Sequence, residues 1–142
     1  MKTSARNQFN GVIKEVHIGS VNAEVVVELS GGEFVVASVT KESVEALGVK
    51  PGISVIALVK APQIIVVYDF GGYKLSARNQ LAGKISGVTP GAVNAEVDIE
   101  VKGGQKIAAT VTMDSVSSLG LQKGQAVTAV FKAGAVLLAV PG

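Results

Sequence analysis

The chain contains no cysteine and no tryptophan, and only one histidine, His17, among its 142 residues. Without cysteine there is no disulfide framework and no thiolate metal site. A single histidine supplies neither the cluster that a protein metal site usually needs nor a retained base for serine–histidine–aspartate catalysis. Aromatic residues are scarce, two Tyr and four Phe, which leaves little with which to stack nucleobases. The formal net charge is only +2, divided as −1 over residues 1–70 and +3 over residues 71–142. That bias is too weak to indicate a nucleic-acid partner. Aliphatic character is abundant instead, with 48% hydrophobic residues and a mean hydropathy of +0.45. No window approaches the roughly 18 apolar residues of a membrane helix, and Met1-Lys2-Thr3-Ser4-Ala5-Arg6-Asn7 lacks the apolar stretch of a signal peptide. The expectation is a cytoplasmic protein with no membrane and no nucleic-acid partner, whose surplus apolar surface goes into interfaces.

The chain repeats itself. Residues 4–68 and 76–140 both begin Ser-Ala-Arg-Asn-Gln and run at a constant offset of 72, with 29 identities in 65 pairs. A fixed period marks each copy as one structural unit, here residues 1–70 and 71–142. Units this small bury a modest share of their surface and are marginal alone, so association between copies or chains is expected.

Each copy reads as short strands with one brief helix. Val21, Ala23, Val25, Val27 and Leu29 alternate with polar Asn22, Glu24 and Glu28, and residues 93–101 repeat the alternation. That period of two indicates a strand with one buried and one wet face. Gly31-Gly32 and Gly103-Gly104 read as hairpin turns needing positive φ, followed by returning strands. Thr40 and Thr112 are placed to cap a helix N-terminus, and Gly48 and Gly120 to end it in a left-handed conformation. Further strands follow at 53–60 and 125–132. The last apolar runs, 63–68 and 134–140, are expected to close their own copies. The fold class predicted is all-β with short helices: two OB-like β-barrels in tandem, each of about five strands plus one short helix.

No catalytic constellation is present, and no enzyme is expected. His17 is matched by Thr89 in the second copy, so it reads as a surface residue. Glu24 and Glu96 are retained, one in each copy, and do not read as an acid–base pair. The Gly-Gly pairs lack the Lys-Ser/Thr of a phosphate-binding loop. What both copies keep is a set of groups suited to an anion. Ser4-Ala5-Arg6-Asn7 and Ser76-Ala77-Arg78-Asn79 offer hydroxyl, guanidinium, amide and main-chain N–H donors. Lys60-Ala61 and Lys132-Ala133 place one ammonium at the end of an apolar strand. A tetrahedral oxyanion requires several converging donors with modest positive charge. A second retained cluster includes Val21-Asn22 and Val93-Asn94, which reads as a turn entering a strand, or as amides that face an anion.

These motifs, with Gly91-Ala92-Val93-Asn94-Ala95-Glu96-Val97, resemble the molybdate-binding Mop domain, also called the molybdenum TOBE domain. Two in tandem resemble the di-Mop molybdenum storage or homeostasis proteins of bacteria, of the ModG type. The resemblance implies OB-like barrels assembled as a trimer of the doubled chain, with molybdate or tungstate as ligand and no cofactor. It implies oxyanion sites between barrels, the Ser-Ala-Arg-Asn of one facing the Lys-Ala of another. On this chain those residues are Ser4, Ala5, Arg6, Asn7, Lys60 and Ala61, with Ser76, Ala77, Arg78, Asn79, Lys132 and Ala133. A second site class near the threefold axis matches Val21, Asn22, Val93 and Asn94. Neither a helix-turn-helix nor a Walker motif is present in these residues, so the expectation is a tandem Mop protein rather than the repressor or transporter ATPase that carry related domains. The alternative is an OB-type nucleic-acid or small-ligand module, which near-neutral charge and few aromatics disfavour.

Overall fold

The computed structural model describes all 142 residues. Ten strands and two α-helices follow one another in two equivalent series. The first series is β1 (Asn7–Ile18), β2 (Asn22–Leu29), β3 (Phe34–Thr40), α1 (Lys41–Leu47), β4 (Ser54–Val59) and β5 (Ile65–Val67). The second is β6 (Asn79–Pro90), β7 (Asn94–Val101), β8 (Lys106–Thr112), α2 (Met113–Leu119), β9 (Ala126–Phe131) and β10 (Leu137–Ala139). The molecule is mostly β, two OB-like barrels in tandem, with the helix between the third and fourth strands as the sequence suggests.

The local signals act as their chemistry requires. Thr40 and Thr112 cap α1 and α2, each hydroxyl accepting at 3.1 Å from the N–H of Ser43 or Ser115. Gly48 and Gly120 end the helices at φ +66° and +61°, where a side chain would be strained. Ala23, Val25, Val27 and Leu29 are buried along β2, and Ala95, Val97, Ile99 and Val101 along β7. Val21 and Val93 depart from that alternation. They precede their strands and are 70% and 73% exposed, so they belong to the hairpin tips rather than to the core face. Lys14 and Ser86 drop out of the β1–β2 and β6–β7 registers. Such bulges bend a long strand and let each sheet coil around its core.

The main departure from expectation is in closure. The sheets run β10-β4-β1-β2-β3 and β5-β9-β6-β7-β8. The apolar run after β4 therefore does not close its own copy: Ile65–Val67 pairs with β9, opposite Val130–Thr128. Leu137–Ala139 returns the exchange on β4, opposite Leu58–Ile56. Each sheet draws four strands from one copy and its edge strand from the other. The apolar interior is correspondingly continuous: Phe9, Ile13, Val59 and Ile64 form one cluster with Ile85, Ile107, Phe131 and Val136. A shared interior answers the marginal size of each copy.

Candidate oxyanion site

Antiparallel pairing of β1 with β4 puts Asn7 opposite Val59, and so brings the chain just before β1 beside the chain just after β4. Those two stretches are Ser4-Ala5-Arg6 and Lys60-Ala61. In the second copy Asn79 lies opposite Phe131, which brings Ser76-Ala77-Arg78 beside Lys132-Ala133 in the same way. Ser4, Ala5 and Lys60 line one cavity of about 400 Å³ together with Thr3, Gln63 and, from the second copy, Gly134 and Ala135. Its lining contains hydroxyls, an amide and an ammonium, and no carboxylate. Within one chain, then, Ser4 meets the lysine of its own copy, and the other copy contributes a wall.

Lys60, Lys132, Ser4 and Ser76 are exposed, Ala5 and Ala77 half-buried, and Ala61 and Ala133 buried where each begins a 3₁₀ turn. The amide of Gln8 donates to the Ala5 carbonyl at 3.3 Å, and that of Gln80 to the Ala77 carbonyl at 2.9 Å. Sequence reading passed over these two glutamines, although the five-residue match of the copies includes them. They fix the conformation of the segment that carries the serine.

Asn7 and Asn79 behave differently from anion-facing amides. Both are buried, and each reaches into the opposite half. Asn7 Nδ2 donates to Ala108 O at 2.9 Å, and Ala108 N donates to Asn7 Oδ1 at 2.8 Å. Asn79 makes the same pair with Val36, at 2.8 and 2.7 Å. An asparagine side chain has the donor and acceptor of a peptide group, and here it extends the backbone pairing of β3 or β8 by one link. Their side chains are clamps between halves; toward a ligand they leave only main chain.

The arginines also cross. Arg6 grips Glu96 with both terminal nitrogens, Nη1 at 2.5 Å from Oε1 and Nη2 at 2.9 Å from Oε2. Arg78 pairs through Nη1 with Glu24. Glu24 and Glu96, which suggested no acid–base chemistry, are thus the counter-charges of the two retained arginines. Joint retention of opposite charges in both copies was the available signal.

The remaining candidates lie elsewhere. Val21, Asn22, Val93 and Asn94 are exposed at hairpin tips, away from the clamps. His17 is exposed, with Nε2 3.8 Å from Glu15, and no three His, Cys, Asp or Glu side chains converge in a metal-binding group. Another depression, about 670 Å³, lies over the first sheet between Val12, Leu29, Ile56 and Val140. Its walls are mainly apolar and its only charged side chain is Glu28, the wrong sign for an oxyanion.

The TOBE domain model matches the chain twice, over residues 3–66 and 75–138. The chain belongs to the TOBE domain family. A solved structure of the cytoplasmic molybdate-binding protein ModG, with molybdate bound, is 46% identical. It superposes with a TM-score of 0.96, covering 99% of this chain and 100% of that one. Among curated relatives, the molybdenum transport protein ModE of Herbaspirillum seropedicae is 44% identical over 140 residues, 99% of this chain and 52% of the relative. The molybdenum-pterin-binding protein MopA of Rhodobacter capsulatus is 37% identical over 141 residues, 99% of this chain and 53% of the relative. The chain thus spans about half the length of the curated relatives it matches. No helix of this TOBE protein is long and apolar enough to cross a membrane.

Proposed function

We propose that this chain binds molybdate or tungstate reversibly and serves molybdenum storage or homeostasis in the cytoplasm, as a homo-oligomer, a trimer of the doubled chain. The observation that carries the reading is the acid-free cavity holding Ser4, Ala5 and Lys60. A tetrahedral dianion there would be held by the Ser4 hydroxyl, by main-chain N–H groups of the Ala5-Arg6-Asn7 segment and of Ala61, and by the Lys60 ammonium. Main-chain N–H groups and a hydroxyl supply directed hydrogen bonds with little net charge, and one ammonium adds charge assistance. Ser76, Ala77, Arg78, Asn79, Lys132 and Ala133 form the equivalent set. Val21, Asn22, Val93 and Asn94 are proposed as a second class of site: exposed tips of this kind can meet only in an assembly. Binding here needs no cofactor and no covalent step. ModG is a molybdate-binding protein and MopA a molybdenum-pterin-binding protein, which supports the ligand class.

A ligand that binds only the folded state stabilises it by mass action, about 2.7 kcal/mol at a hundredfold excess over Kd. Sodium molybdate at millimolar concentration is expected to raise the melting temperature, and native mass spectrometry to report a trimer carrying several anions. An unchanged melting curve would refute the reading.

A further inference from the structure

We propose that Glu24 and Glu96 are positioning residues of the oxyanion sites, each holding, from the opposite half, the arginine that leads the anion-binding segment into its strand. The inference rests on the oxyanion reading above. Arg6 and Asn7 are consecutive, and both are tied to the second half: Arg6 to Glu96 on β7, Asn7 to Ala108 on β8. Glu96 lies opposite Thr110 in the β7–β8 register, two residues along β8 from Ala108. The chain before β1 is thereby fixed at two neighbouring points on one foreign sheet, and Ser4-Ala5 continues directly from the fixed pair. Arg78, paired with Glu24 on β2, and Asn79, paired with Val36 on β3, repeat the arrangement in reverse.

The pairing also changes what the guanidinium can do. A bidentate carboxylate neutralises Arg6 and occupies a donor on each terminal nitrogen, so Lys60 is left as the uncompensated cation of the cavity lining. Arg6 acts by holding the segment, and the acid acts through Arg6.

Two effects of the acid on the anion have opposite sign, which makes the idea decidable. By charge alone, a carboxylate near the cavity repels the anion, so Glu96→Gln would tighten binding. If the carboxylate positions the segment, Glu96→Gln weakens binding. The effect expected is on the order of tenfold, the low end of what losing an outer partner costs a bound ion. The experiment is titration of the full chain with sodium molybdate by calorimetry, with anions counted by native mass spectrometry, for wild type, Glu96→Gln and Glu24→Gln. The expected result is loss of affinity in only half of the Ser-Ala-Arg sites: those built on Ser4 for Glu96→Gln, and those built on Ser76 for Glu24→Gln. Binding that is unchanged, tighter, or weakened equally in both halves would overturn the positioning role while leaving the oxyanion reading intact. A wild-type chain that takes up no molybdate would overturn both.

Discussion

The two halves differ in the residues that pack by apolar volume and agree in those that tie one half to the other by polar contact or close clearance. In the first half the large core residue is Phe9 on β1, opposite Ala57, with Val59 near it; in the second it is Phe131 on β9, with Leu81 opposite Ala129. All are buried. On the outer faces Val12 and Ile56 are matched by Lys84 and Thr128. None of this drift touches Arg6, Asn7, Glu24 and Gly31, which recur as Arg78, Asn79, Glu96 and Gly103. A core needs volume and apolarity more than identity, so its members can trade places. A contact between halves depends on particular donors, acceptors and clearances, used twice in reciprocal pairs.

The largest expected effect comes from breaking one clamp. Asn79→Ala strands the Val36 N–H and C=O in a buried environment, at about 1–3 kcal/mol for each group left unpaired. Denaturant unfolding is expected to show a loss on the order of 3 kcal/mol, and Asn7→Ala a matching loss through Ala108. Costs that differ by more than the measurement error would show that the halves are not equivalently docked.

Gly103 comes next. Its φ is +81°, and an added Cβ would fall 2.1 Å from the Gly31 carbonyl oxygen, where the two hairpin turns abut. Gly103→Ala is expected to destabilise by roughly 2 kcal/mol, strain and clash together. Gly134→Ala, at a position with open space around it, is the control and should cost almost nothing by thermal melting. Thr40→Ala and Thr112→Ala should each remove about 1 kcal/mol, equally in both halves. The smallest effect on stability is that of the ion pairs. The Arg6 side chain is 60% exposed, and exposed pairs contribute about 0–1 kcal/mol. Glu96→Gln should therefore hardly move the urea midpoint, which separates its effect on the anion from any effect on folding.

Much of the fold was legible because its signals are local. The alternation from Ala23 to Leu29, the threonine before each helix and the glycine after it depend only on neighbours in the chain. The exchange of β5 and β10 was not legible. Ile65-Val66-Val67 and Leu137-Leu138-Ala139 are both short and apolar, and either would fit beside either fourth strand. Which copy receives them is decided by the path of the whole chain. At the candidate site, retention picked out segments that the strand pairing brings side by side, but not the roles of their side chains. An asparagine before an apolar strand reads alike as a turn former, a ligand or a clamp, and only the position of Ala108 distinguishes them. Arg6 and Glu96 are 90 residues apart, so nothing in their spacing announced that they meet.

The exchanged strands also bear on how the chain is made. β4 leaves the ribosome long before β10, and until Leu137–Ala139 is synthesised the first sheet has an open side with unpaired N–H and C=O groups. Such an edge can recruit any extended segment, and pairing across so much intervening sequence is slow because the loop must close first. The early half is therefore provisional during translation and becomes permanent only when the late half delivers its final strand. A nascent chain stalled between the two copies would be the form of this protein most prone to join a neighbour.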